Sequence, residues 1–243
     1  MLSETPLLGL KRRPELEVVG GMAGVEMCGA NCTPGDIPAA VALARKAEVA
    51  VIFAGLHSTQ GQQDGGPGSL NGPGMEREGY GTSHPSLPLL SSSKSLKQLC
   101  PRSADRTNLT LPGYQLDLIQ AVHGAGVPTV VVLINSGGLA AEWVYDNIPA
   151  VLEAYYPGEM GGDAMASVLL GDVSPAGRLT TTIYPSGFVM QRNITDMEMR
   201  PHGAVPGVTY RFYPHEDALF SFGFGMSYAS QHPLSVTGSL CSS

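Results

Sequence analysis

Apolar positions along the chain follow two rhythms. Short continuous runs rich in β-branched residues read as strands buried on both faces: Val49-Ala-Val-Ile-Phe-Ala-Gly, Thr129-Val-Val-Val-Leu-Ile and Ala150-Val-Leu-Glu-Ala-Tyr, with Leu16-Glu-Val-Val as a weaker fourth. Between them the spacing turns helical. Ile37, Ala40, Val41, Ala44 and Ala47 share one helical face behind Asp36 as N-cap. Leu111, Gln115, Leu118, Ile119 and Val122 share a second, with Thr110 as cap, Pro112 in the first turn and Gly124 or Gly126 as the stop. Ala164, Met165, Val168 and Leu169 form a third, closed by Gly171. Strand and helix in alternation predict an α/β fold, a mostly parallel sheet with helices on both faces in a three-layer sandwich.

Two stretches break this rhythm. Gly61–Gly74 holds six glycines and two prolines, which predicts a flexible loop. Gly81–Ala104 has seven serines, three Lys or Arg, no acidic residue and no periodicity. Together they predict a flexible insertion at about 58–104, a far longer connection than compact domains use. The last residues, 229–243, read as a tail.

Composition narrows the function classes. Fourteen Lys and Arg against 21 Asp and Glu give a net charge of −7, with no basic block, which argues against nucleic acid as a partner. The longest apolar runs, Val49–Leu56 and Val127–Ile134, fall far short of the ~20 residues of a membrane helix. The first residues show no signal-peptide pattern. Cys28, Cys32, Cys100 and Cys241 are too few for a disulfide scaffold, and Cys28 and Cys32 lack a second pair for zinc. No Gly-x-Gly-x-x-Gly opens a helix after a strand. There is no phosphate-binding Gly-x-x-x-x-Gly-Lys loop, no Gly-x-Ser-x-Gly elbow and no His-Glu-x-x-His. The expectation is therefore no cofactor and no metal.

One constellation does carry chemistry. Glu76-Arg77-Glu78-Gly79-Tyr80, and beyond the serine-rich stretch Asp105-Arg106-Thr107-Asn108-Leu109-Thr110-Leu111-Pro112-Gly113, lie between a buried strand and a helix. Loops beyond the carboxyl ends of parallel strands are where α/β folds place ligands. Carboxylates beside an arginine suit proton transfer to a polar substrate, although acidic loop residues are also simply what a solvated surface carries. Glu76 and Glu78 are two apart, so in extended backbone they point to opposite sides and one of them faces a substrate.

Joined across 81–104, this string resembles the E-x-E-G-x-D-R-x-x-L-x-L-P-G signature of glycoside hydrolase family 3, in its C-terminal α/β-sandwich domain. Further segments match in the family's order: Thr5-Pro-Leu-Leu-Gly-Leu, Leu133-Ile-Asn-Ser-Gly-Gly, Tyr156-Pro-Gly-Glu-Met-Gly-Gly, Pro175-Ala-Gly-Arg-Leu-Thr-Thr-Thr-Ile-Tyr-Pro and Phe222-Gly-Phe-Gly-Met-Ser-Tyr. Thr195-Asp-Met-Glu-Met-Arg-Pro and Pro206-Gly-Val-Thr-Tyr-Arg-Phe-Tyr resemble the β-xylosidase branch. The resemblance implies one domain over 1–228, incomplete at its N-terminal end, from a retaining exo-β-glycosidase whose nucleophile sits on a (β/α)₈ barrel that this chain does not contain. Its partners would be that barrel and a carbohydrate substrate derived from xylan. The general acid/base would be Glu78, the tighter match, with Glu76 as rival. Asp105 and Arg106 would be structural neighbours, and Arg178, Arg211 and Trp143 internal anchors rather than sugar contacts. The isolated chain would be inactive. An extracellular location follows from the resemblance, in keeping with the sequons at Asn31, Asn108 and Asn193. The chain departs from the family at Gly55-Leu56-His57, where the pattern has Gly-Leu-Asp.

Overall fold

The computed structural model describes residues 5–21, 36–56, 108–135, 137–193 and 195–228. The predicted insertion at 58–104 lies outside them, as do the tail and all four cysteines. Three strands, β1 (Ala50–Gly55), β2 (Thr129–Ile134) and β3 (Ala150–Glu153), form a parallel sheet in the order β1-β2-β3, with Val51 beside Val130 and Val131 beside Val151. Val131, Val132 and Leu133 are consecutive and all fully buried. Neighbouring strand residues point to opposite faces, so both faces of the sheet are covered, as the unbroken apolar run requires.

Helices α1 (Pro6–Lys11), α2 (Ile37–Ala44), α3 (Gln115–Gly124), α4 (Glu142–Asn147) and α5 (Gly161–Leu169) supply the outer layers. Asp36 caps α2 as expected, its carboxylate accepting from the Ala39 amide at 3.1 Å. On one face of the sheet Ile119 and Val122 of α3 and Val144 of α4 close over Val131 and Leu133. Helix α1 crosses α5 so closely that a Cβ on Gly9 would overlap the Gly162 carbonyl. Arg13 locks the pair, donating to Asp172 at 3.0 Å and to the Ser167 hydroxyl.

Three expectations are corrected. Leu16–Val19 forms no strand: it lies as coil along an apolar groove of about 1100 Å³ at the outer edge of β1, and makes no ladder with that strand. Leu43 packs against Gly20 and Leu7 against Gly21, so this segment is held by side-chain packing instead of backbone pairing. Helix α3 starts at Gln115, not behind Thr110, whose hydroxyl donates to Asn108 at 3.1 Å. Leu111 precedes a proline, which disfavours helix, and Gly113 takes φ +57°, so the chain turns before it coils. The third strand ends at Glu153, because Tyr155 adopts φ +49°.

Three buried or partly buried tyrosines predict alkaline behaviour. Burial raises the hydroxyl of Tyr145 well above its ordinary range, aided by the charges of Glu153 and Glu142. Burial also raises Tyr184, against the opposing hydrogen bond from Thr209, and Tyr213. A tyrosine whose folded pKa exceeds its unfolded value stabilises the fold fully below the unfolded value of ~10 and loses that contribution as pH rises through the folded one. Melting temperature should therefore hold steady near neutrality and fall above about pH 10, less steeply in Tyr184→Phe. Melts unchanged up to about pH 11 would refute this.

Candidate functional site

Because all three strands are parallel, their carboxyl ends lie on one rim. The described chain stops at Leu56 and resumes at Asn108, and both flanks lie on this rim. At the departure point, Ala50 and Leu56 donate to Pro128 and Ile134, so the even-numbered amides of β1 face β2 and the amide of Gly55 faces outward. Among the described residues no strand pairs with this outward side of Gly55. The side chain of Gln115 does so instead: the Gly55 N–H donates to Oε1 at 2.7 Å, and Nε2 donates to the Gly55 carbonyl at 3.0 Å. The buried amide thus imitates one rung of a neighbouring strand, and both of its polar atoms are satisfied. Leu56 is held further by Tyr156, whose hydroxyl donates to its carbonyl at 3.3 Å.

At the return point, the Leu109 carbonyl accepts from the Ala140 amide at 2.7 Å, which ties it to the loop after β2. That loop is braced by Asn135, 1% exposed, whose Nδ2 donates to the Gly137 carbonyl at 2.7 Å. Its other amide atom, Oδ1, is buried without a hydrogen bond.

The C-terminal third straps the rim. Thr180 donates its amide to the Tyr155 hydroxyl at 3.2 Å. Ile183 pairs with Phe220 and lies against Gly138, with its Cδ1 3.2 Å from where a Cβ there would sit. The Ser186 amide donates to Glu142 at 2.7 Å. Loops after β1, β2 and β3 are thus fastened to one another and to α3 and α4, as a site built on strand-end loops needs.

Of the residues singled out in the sequence, Glu76, Glu78, Asp105 and Arg106 lie outside the described residues. Trp143 sits on α4, packed against the core and edge-on to His123, the core position expected of it. Arg211 is no internal anchor: it is exposed, on the helix Thr209–Phe212. Gln115 had been placed only as a member of an apolar helix face. A polar side chain on such a face was the available signal that it meets a buried backbone group. Among the described residues no group of three or more His, Cys, Asp or Glu is placed to hold a metal, and no helix is long and apolar enough to cross a membrane.

The Glycosyl hydrolase family 3 C-terminal domain model matches residues 2–228. The chain belongs to this family. Among curated relatives, Beta-D-xylosidase 1 of Arabidopsis thaliana is 43% identical over 129 residues, 52% of this chain and 16% of that protein. The Beta-xylosidase of Formosa agariphila is 40% identical over 136 residues, 56% of this chain and 18% of that protein. The matched part of the chain therefore spans less than a fifth of the length of these two relatives. Among solved structures, a family 3 exo-β-xylosidase in complex with a xylobiose aziridine activity-based probe superposes with TM-score 0.70 at 25% identity, over 94% of this chain and 25% of that one. A family 3 β-glucosidase of Bifidobacterium adolescentis gives 0.60 at 25% identity, over 94% and 29%. The α/β fold with a parallel sheet is that of these domains, and the relatives are glycoside hydrolases.

Proposed function

We propose that this chain supplies the proton-transfer half of a retaining exo-β-glycosidase site of the β-D-xylosidase type, acting on xylan-derived oligosaccharides outside the cell. Glu78 is the general acid/base and Glu76 its rival. Asp105 and Arg106 steady the loop. Residues 1–228 form one domain with an insertion at about 58–104 and a tail from 229. The nucleophilic carboxylate comes from a (β/α)₈ barrel partner, and no cofactor or metal takes part.

The observation that carries this reading is the anchoring of Leu56 and Leu109, the flanks of the segment that holds both glutamates, to one rim of the sheet. The xylosidase relatives support the choice of sugar. In a retaining reaction the two carboxyls lie ~5–5.5 Å apart, the nucleophile attacks the anomeric carbon and the acid protonates the departing oxygen. The acid then takes a proton from the water that releases the sugar. One carboxylate alone completes neither step, so the isolated chain should not turn over substrate.

Purified chain, alone and mixed with the barrel domain of the Arabidopsis relative, should be assayed on an aryl β-xyloside. Turnover is expected only from the mixture. Turnover by the chain alone, lost in Glu78→Gln, would overturn the need for a barrel. A mixture no faster than the barrel by itself would sink the proton-transfer role and leave a non-catalytic carbohydrate-binding or regulatory fragment.

A further inference from the structure

The segments 195–201 and 206–213 hold the most branch-specific motifs of the sequence, and the acid/base reading makes no use of them. They border an open concavity of about 520 Å³ that includes Glu198, Arg200, Tyr210 and Arg211. Beside it, Tyr210 and Phe222 lie with ring centroids 4.8 Å apart and planes tilted by 31°, and each is 47% exposed. At this separation the two rings lean over one another, and each leaves about half of its surface open to solvent.

The backbone beneath it is strained. Thr209 takes φ +64°, a conformation that a β-branched residue adopts at a cost. It is held there by the Tyr184 hydroxyl, which accepts the Thr209 amide at 2.7 Å. Tyr184 is itself locked between Phe188, stacked at 4.1 Å, and Tyr213, edge-on at 4.8 Å. The position of Tyr210 is thus built from below, not left to a loose surface loop.

Polar groups complete the arrangement. Arg211 donates from Nε to the Tyr210 hydroxyl at 3.1 Å. Among the described residues no carboxylate lies within ion-pair distance of it, so its two Nη groups remain free to donate. Arg200 lies over the Phe212 ring at 5.0 Å, also without an acidic partner among the described residues. Glu198 turns one carboxylate oxygen to the Arg200 amide at 3.0 Å and stands on the same rim as an acceptor. A pyranose ring offers the matching chemistry, an apolar C–H face for an aromatic platform and an edge of hydroxyls for fork-like donors and a carboxylate.

We propose that Tyr210, Phe222 and Arg211 form a subsite that grips one pyranosyl unit of a β-linked oligosaccharide. The aromatic pair covers the face of the sugar and the Arg211 Nη groups donate to its hydroxyls. This takes from the glycosidase reading only the class of ligand, and it needs neither the barrel nor either candidate acid.

The test is binding of xylotriose to the 243-residue chain, followed by calorimetry and by the ring resonances of Tyr210. Saturable binding with Kd of about 1 mM is expected. Tyr210→Ala should weaken it at least about fivefold and Arg211→Gln about threefold, whereas Tyr210→Phe, which keeps the ring, should stay within about twofold. Both residues replaced are exposed, and unchanged melting temperatures would show that the variants fold. Absence of saturable binding, or binding that Tyr210→Ala leaves intact, overturns the subsite. So does the finding that a separately produced barrel domain binds this face, Tyr210→Ala loosens that complex and xylotriose does not bind. Because the readout is binding without turnover, a failed acid/base assignment leaves this result untouched, and loss of the subsite leaves the reconstitution assay untouched.

Discussion

In an enzyme reconstituted from this chain and a family 3 barrel, Glu78→Gln is expected to lower turnover of an aryl β-xyloside with a poor leaving group by about 10²–10⁴-fold. The glutamine keeps the shape of the side chain and removes the proton it must deliver. The size of the loss should depend on the leaving group. A dinitrophenolate departs without help, so its xyloside should lose much less in the first step, while the second step, in which the same residue acts as base toward water, stays slow. The covalent glycosyl-enzyme should then accumulate. An added small anion such as azide, which attacks without a base, should restore turnover and give the glycosyl azide. This combination separates proton transfer from any structural effect, which would slow all substrates alike and respond to no added nucleophile. Glu76→Gln in parallel decides between the rivals. Were Glu76→Gln to show the leaving-group dependence and azide rescue while Glu78→Gln behaved as the unmodified chain, the roles would be exchanged.

The largest loss of stability is expected from Gly55→Ala. Gly55 takes φ +142°, and a Cβ there would overlap the backbone carbonyl of Ile134 on the neighbouring strand. Backbone cannot swing aside as a side chain can, so β1 and β2 would have to separate at their carboxyl ends. Strain and overpacking together should cost about 3–5 kcal/mol. The same shift would pull Gly55 away from Gln115, whose two amide hydrogen bonds stay buried only while the strand end holds its place. Gly171→Ala provides the comparison. Gly171 also has positive φ, at +83°, but a Cβ there would meet nothing within 4 Å. Its cost should stay near the ~1 kcal/mol of the left-handed conformation alone. Urea unfolding of both variants measures the difference. Equal losses would show that close approach to β2 is not what requires glycine at 55.

These two positions mark how far the sequence could be read. Thr129–Ile134 was visible as a buried strand because the five consecutive apolar residues Val130–Ile134 leave no solvent face, and the structure buries both sides of it. Asp36 and Gly171 were visible as the ends of helices because capping is local chemistry. Leu16–Val19 has the composition of a strand and is not one, since a strand exists only through a partner's backbone, and at the end of β1 the Gln115 side chain takes that partner's place. Gly55 could be recognised as the close of a strand, but not as the point of contact with Ile134, which is 79 positions away in sequence.

What the amino-acid order settled by itself was whatever depends on near neighbours: the alternation of strand and helix, the family motifs, the pair of glutamates and their separation by two residues. The proposed proton transfer rests on those two side chains because of their residue type and their match to the family motif. What only the tertiary structure decided was which backbone groups meet across long separations. It brought Leu56 and Leu109 to one rim, set Gln115 on Gly55, and raised an exposed aromatic pair over the strained Thr209. The physical reason is that a hydrogen bond or ring contact between distant residues depends on how the whole chain closes. No local preference records that closure.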